Sequence, residues 1–220
     1  MNSRAFTAVF AFAFLVAAQA EATAGADAPG SAKAWLKAKV DKANELAQKA
    51  PKAGSPAEEG WQKEAKAIIE DVLDWETMTQ ESLGSKWKEL QPKDQQEFSA
   101  LLREIIEASY QSKLKLANKG EVKKPSTVKI DWIGEDQTAD KAKITAKVKA
   151  DKTTAQLEFS LIFRDARWRV WDIAIDDVST VRTYRSQFRK HIAEKGFPGL
   201  LELMRNKSKE IREGRSELGP

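Results

Sequence analysis

Three carboxylates lie close together late in the chain, Asp172, Asp176 and Asp177, with Arg167, Arg169 and Arg182 nearby. Residues at even spacing along a strand share a face, so two of these carboxylates are placed to act together, as an acid/base pair or as hard oxygen ligands for a cation. The same arrangement suits ion pairs with the neighbouring arginines, and buried ion networks perturb carboxylates without any reaction. The structural reading is preferred on that ground. Other chemistry is scarce. The chain has no cysteine, which excludes thiol nucleophiles, a disulfide framework and a lipid-modified cysteine anchor. The single histidine, His191, falls among Arg189, Lys190 and Lys195 near a helix end, an ordinary surface place for it. A zinc centre lacks both thiols and a second imidazole, and no phosphate loop or dinucleotide fingerprint occurs.

The elements that must position these residues begin with the stretch 170–204. Val170, Ala174 and Val178 alternate with Trp171, Ile173 and Ile175, which predicts a strand buried on both faces. Val181, Tyr184, Phe188 and Ile192 then recur at helical spacing. Gly196 is expected to end that helix in the left-handed conformation, and Pro198 to sit in the first turn of another, with Leu200, Leu201 and Met204 facing inward.

Upstream, residues 1–20 read as a secretory signal peptide: Arg4 supplies a positive start, 5–18 an apolar run too short to span a bilayer, and Ala18-Gln19-Ala20 a cleavage site after Ala20. That places the remainder, 21–220, outside the cytoplasm as one domain, with a mainly helical part over 21–120 and a sheet with C-terminal helices over 121–220. Residues 21–31 are expected to be a loose leader. The stripe Leu36, Val40, Ala43 and Ala47 predicts a helix that packs weakly, because alanine makes the stripe shallow. Ser55-Pro56-Ala57-Glu58 reads as a capping box opening a helix with Trp61, Ala65, Ile68 and Val72 inward. Asp74 is placed to cap a short helix ended by Gly84. Pro92 starts the longest helix, with Phe98, Leu101, Leu102, Ile105, Ile106, Tyr110 and Leu114 on one face up to Gly120. Trp75 and Trp87 are read as packing anchors rather than ligand-stacking rings.

After Pro125 the period becomes two. Val128, Ile130 and Trp132 precede a turn at 134–137; Ala142, Ile144, Ala146 and Val148 alternate with Lys141, Lys143, Lys147 and Lys149; Ala155, Leu157, Phe159, Leu161 and Phe163 follow, then a turn at Asp165-Ala166 into Trp168. Connections this short make neighbouring strands antiparallel, so the fold class is α+β with a four-stranded meander whose apolar face helices must cover. The lysine row suits either a solvated sheet face or anionic lipid. Removing residues 1–20 takes one arginine from 37 basic residues and leaves 36 against 33 acidic, a net charge of +3. Bases and acids are interleaved, and no nucleic-acid motif appears, so a nucleic-acid partner is not expected. Whether the bulky side chains fill one another's gaps or line a cavity is left open by the residues alone.

The run Asp177-Val178-Ser179, then Tyr184-Arg185-Ser186-Gln187-Phe188, then Gly196-Phe197 with Leu200 and Leu201, resembles the C-terminal signature of the MlaC, or toluene-tolerance, family. A looser match runs through Asp74-Trp75, Leu83-Gly84, Trp87, Leu90, Pro92 and Phe98, so the resemblance spans roughly 68–205. It departs at Trp75, where phenylalanine or a similar residue is usual, and the alanine- and lysine-rich first helix has no obvious counterpart.

The resemblance implies a cone-shaped fold like that of nuclear transport factors, with an apolar cavity between curved sheet and helices, in a periplasmic phospholipid carrier without catalysis or cofactor. It implies partners in an inner-membrane ABC transporter complex and an outer-membrane lipoprotein/porin complex. The expected cavity walls are Trp132, Ile144, Ala146, Val148, Leu157, Phe159, Leu161 and Phe163 from the sheet, with Ile106, Tyr110, Tyr184, Phe188, Leu201 and Met204 from the helices. Arg182 and Arg185 are candidates for the lipid head group or for pairing to an internal aspartate. The alternatives are a carrier of hopanoid- or sterol-type polycyclic lipid, an enzyme of the same fold using the strand aspartates, and an adaptor with packed apolar faces.

Overall fold

Helix α1 (Ala32–Gln48) starts at Ser31, whose hydroxyl oxygen accepts the Ala34 N–H and so satisfies one of the free donors of the first turn. The computed structural model describes residues 30–52, 54–118, 128–151 and 153–213, with backbone alone over 113–118. The expected signal peptide, the leader up to residue 29, Gly120 and the Leu114 side chain lie outside the described residues. The weak packing expected of α1 is corrected. Ala32, Leu36 and Val40 are at most 1% exposed, because small alanines let the helix backbone come close to β1, β2 and β4 while leucine and valine fill the remaining space.

Helix α2 (Glu58–Val72) buries Trp61, Ala65, Ile68, Ile69 and Val72 as its periodicity requires. Its cap differs from the expected box. Ser55 Oγ has no hydrogen-bond partner, and the Glu58 carboxylate instead accepts the Gly54 N–H at 2.5 Å. Helix α3 (Trp75–Leu83) is capped by Asp74 and stopped by Gly84 at a φ of 59°. A 3-10 turn, Gly84–Glu89, leads into α4 (Pro92–Asn118), whose Phe98, Leu102 and Ile106 are buried.

Strands β1 (Val128–Gln137), β2 (Lys141–Ala150), β3 (Thr153–Arg164), β4 (Arg167–Ile175) and β5 (Val178–Ser179) pair in chain order, each antiparallel to the next. The expected four strands become five. Asp165-Ala166 and Asp176-Asp177 both take positive φ, as two-residue hairpins require, and the second folds Val178 and Ser179 back onto β4.

Two register shifts re-aim the side chains. The shift between Trp132 and Gly134 carries β1 on to Gln137, where a turn was expected, and leaves Ile133 outside the ladder. The shift opposite Ser160 and Leu161 leaves Trp171 unpaired and puts Val170, Ile173 and Ile175 on one face. Val178 therefore does not continue the β4 alternation; it lies in β5 and is 43% exposed.

Helix α5 (Thr180–Arg212) is broken at Gly196, at φ 73° and ψ 174°, and resumes through Pro198. The helices gather over the apolar face of the sheet: α1 rests on β1, β2 and β4, α2 and α3 reach β4, and α5 spans from the sheet edge to α3 and α4.

Candidate functional site

The aspartates expected to pair with arginines have other partners. Asp172, 7% exposed, accepts the Ser179 hydroxyl at 2.5 Å and the Val181 N–H at 2.9 Å, so it is a second cap on α5. Asp176 accepts the Gln156 N–H at 2.9 Å and returns its own N–H to the Gln156 carbonyl. The Asp177 carbonyl accepts from Arg182 at 3.3 Å. These are fastenings of the tight β4–β5 hairpin, and Asp177 also lines an open groove beside Arg182. Among the described residues no group of three acidic or histidine side chains is placed to hold a metal. His191 Nε2 lies 3.3 Å from the Gly199 carbonyl oxygen across the break in α5.

The eight sheet residues expected as walls share one face. Cross-strand registers align Trp132, Ala146, Leu157 and Ile175 in one row, Ile144, Phe159 and Ile173 in the next, and Ala142, Leu161 and Val170 beyond. Ile144, Ala146, Leu157, Phe159 and Leu161 are at most 2% exposed, whereas Trp132, Val148 and Phe163 are only half-buried. Trp132 and Phe159 place their rings 6.1 Å apart. From the helices, Ile106, Phe188, Leu201 and Met204 are buried, with Phe188 stacked on Tyr184 at 5.5 Å and edge-on to Phe98 at 5.4 Å.

Tyr110 and Tyr184 are half-buried and pack against the same core. Burial pushes both phenols up to about 12. These are the only two tyrosines of the chain, so the consequence is directly measurable. Absorbance of tyrosinate is expected to stay flat near pH 10 and rise only around pH 12, or earlier if the protein unfolds. An unfolded chain ionises these phenols near pH 10 while the folded one holds them neutral, so stability is complete below pH 10 and declines from there towards pH 12. A rise at pH 10 with the fold intact would contradict the burial of both rings.

The two candidate arginines have different surroundings. Arg185 donates to the Glu81 carbonyl at 2.6 Å and to its carboxylate at 2.5 Å, and its stem lies 3.4 Å from where a Cβ on Gly84 would stand. The acid it pairs with is thus a glutamate on α3. Arg182 is exposed and lines an open groove of about 430 Å³ with Val178, Ser179, Thr183, Ser186 and Gln187, a polar setting unsuited to acyl chains. Trp75 packs under the Arg103 guanidinium at 5.4 Å, and Trp87 packs against the core, so both serve as anchors.

Sequence reading missed the fastening of α1. Glu135 accepts the Lys33 N–H at 3.0 Å and the Ser31 hydroxyl at 2.9 Å, Gln137 accepts the Ala32 N–H at 2.7 Å, and Trp168 Nε1 donates to the Gly30 carbonyl. The signal was Gly134 within an alternating strand, a bulge marker that turns Glu135 and Gln137 to the inner face.

A family model described as MlaC protein matches residues 37–206. The chain belongs to the MlaC family. A solved structure of the phospholipid-binding protein from Ralstonia solanacearum in complex with a phospholipid is similar at a TM-score of 0.64 and 20% identity, covering 83% of this chain and 99% of that one. No curated protein matches significantly.

Four of the residues that carry the resemblance serve as joints. Asp74, 1% exposed, accepts the Thr77 N–H at 2.8 Å, donates its own N–H to the Val170 carbonyl, and lies between Arg164 and Arg169 at 3.7 and 3.8 Å. Ser179 caps α5 through the Arg182 N–H. Gly84 and Gly196 supply positive φ. In this MlaC fold, then, these four residues fix how helices meet the sheet.

Proposed function

We propose that this protein is a periplasmic phospholipid carrier, without catalysis, that passes lipid between an inner-membrane ABC transporter complex and an outer-membrane lipoprotein/porin complex. The observation that carries the reading is a sheet face that is apolar over three strand rows and covered by helices, in a chain that belongs to the MlaC family. Family membership and the phospholipid held by the Ralstonia protein support it. In this reading Trp132, Val148 and Phe163 contact acyl chains from the sheet, Tyr110 and Tyr184 contact them from the helices, and the fully buried wall residues set the shape behind them. Arg185, tied to Glu81, is not assigned to the head group.

The physical need for such a carrier is large. A diacyl phospholipid carries about 30 methylenes, whose exposure to water at about 0.8 kcal/mol each costs on the order of 20 kcal/mol. Moving those chains from bilayer to an apolar pocket exchanges like for like, so the transfer is nearly balanced. Net direction then comes from partners that use ATP.

Protein purified from its own host without detergent is expected to yield, on solvent extraction and mass spectrometry, diacyl phospholipid in near-unit ratio. A hopanoid- or sterol-type lipid would keep the carrier and replace the cargo. An extract free of lipid would overturn the carrier reading.

A further inference from the structure

The face of the sheet turned away from the helices has an unusual composition. Lys141, Lys143, Lys147 and Lys149 are all exposed along β2, a row about 27 Å long at roughly 3.4 Å per residue. Lys129 on β1 is also exposed and stands directly opposite Lys149 in the ladder. Like charges facing each other across strands weaken a sheet, so fold stability does not account for this pair. Against these five lysines, the acids on the same face of β1, β2 and β3 are Asp131, Asp136 and Glu158, a surplus of two positive charges. Two lysines are neutralised locally, Lys129 by Asp131 at 3.1 Å and Lys143 by Glu158 at 3.0 Å. Lys141, Lys147 and Lys149 have no ion-pair partner among the described residues. Alternation from Trp132, which faces in, turns Ile133 to this side, where it is 57% exposed.

We propose that this outer sheet face docks the protein on anionic phospholipid membrane, Lys141, Lys147 and Lys149 meeting head-group phosphates and Ile133 touching the interface. The inference rests on the carrier reading for its purpose, because a carrier that delivers to membrane complexes gains from being held near the surface they occupy. Three unpaired lysines without an embedded helix give a weak, salt-sensitive attachment that releases readily. Easy release suits a shuttle.

The test is flotation of the mature protein with vesicles of equal parts phosphatidylglycerol and phosphatidylethanolamine, against vesicles of phosphatidylcholine. Binding to the anionic vesicles is expected, with loss near 1 M salt, where the screening length is about 3 Å. A variant carrying Lys141→Glu, Lys147→Glu and Lys149→Glu is expected to bind about a hundredfold more weakly, at about fivefold or more for each lysine. Its circular dichroism and extracted lipid should match the parent. A control with the same charge change elsewhere, Lys42→Glu, Lys49→Glu and Lys190→Glu, is expected to bind almost as the parent does. Equal loss in the control would overturn the proposal in favour of net charge, and so would parent protein that ignores anionic vesicles. Either failure with lipid still in the extract strikes the docking face alone; absence of lipid strikes the carrier reading.

Discussion

Replacing Phe159 with aspartate is expected to leave little or no folded protein. The ring is 2% exposed, sits between Ile144 and Ile173 across the ladder and lies 6.1 Å from Trp132, so the new carboxylate would have no water and no partner. Phe159→Ala is the informative companion, since it removes the ring without adding a charge. It is expected to fold with a loss of about 3–5 kcal/mol, the usual cost of deleting a buried phenylalanine ring. For a domain of this length that lowers the melting temperature by roughly 6–20 °C. A thermal melt followed by circular dichroism reads both variants. A folded Phe159→Asp protein with the parent's melting temperature and lipid content would defeat the assignment of this strand as a buried apolar wall.

The second large effect is expected at Asp172. Alanine there orphans the Ser179 hydroxyl and the Val181 N–H, at about 1–3 kcal/mol for each buried donor, and removes a negative charge from the start of α5, worth about 0.5 kcal/mol. A loss of about 2.5–6.5 kcal/mol is expected in chemical denaturation, with lipid transfer per folded molecule nearly unchanged. Asp176→Asn and Asp177→Asn should cost less, because asparagine tolerates the positive φ of 45° and 66° at these positions. Abolished transfer with an unaltered melting temperature in any of the three would assign that aspartate a direct part in function.

The contrast between these two sites shows where the sequence was legible. Alternation in β2 and β3 was clean, so Ile144, Leu157, Phe159 and Leu161 were placed on the right face with no structure in hand. Alternation failed where a single residue was added to a strand. Trp171 and Ile133 each shift the count by one, and nothing in a local window tells an inserted apolar residue from a paired one. The partners of the aspartates were misjudged. Proximity in sequence suggested arginines, while the hairpin at Asp176-Asp177 brought backbone donors closer. The depth of α1 was misjudged because propensity and stripe width say nothing about how near alanine lets a helix approach a sheet.

The fastenings at Asp74, Gly84, Ser179 and Gly196 carry a consequence for how this protein can be changed. Each ties one element to another through a backbone group or a backbone angle. None of these four residues is among the expected walls. A wall residue such as Val148 can therefore be exchanged for a larger or smaller one without loosening a joint, so the frame and the lining of this protein can be altered separately.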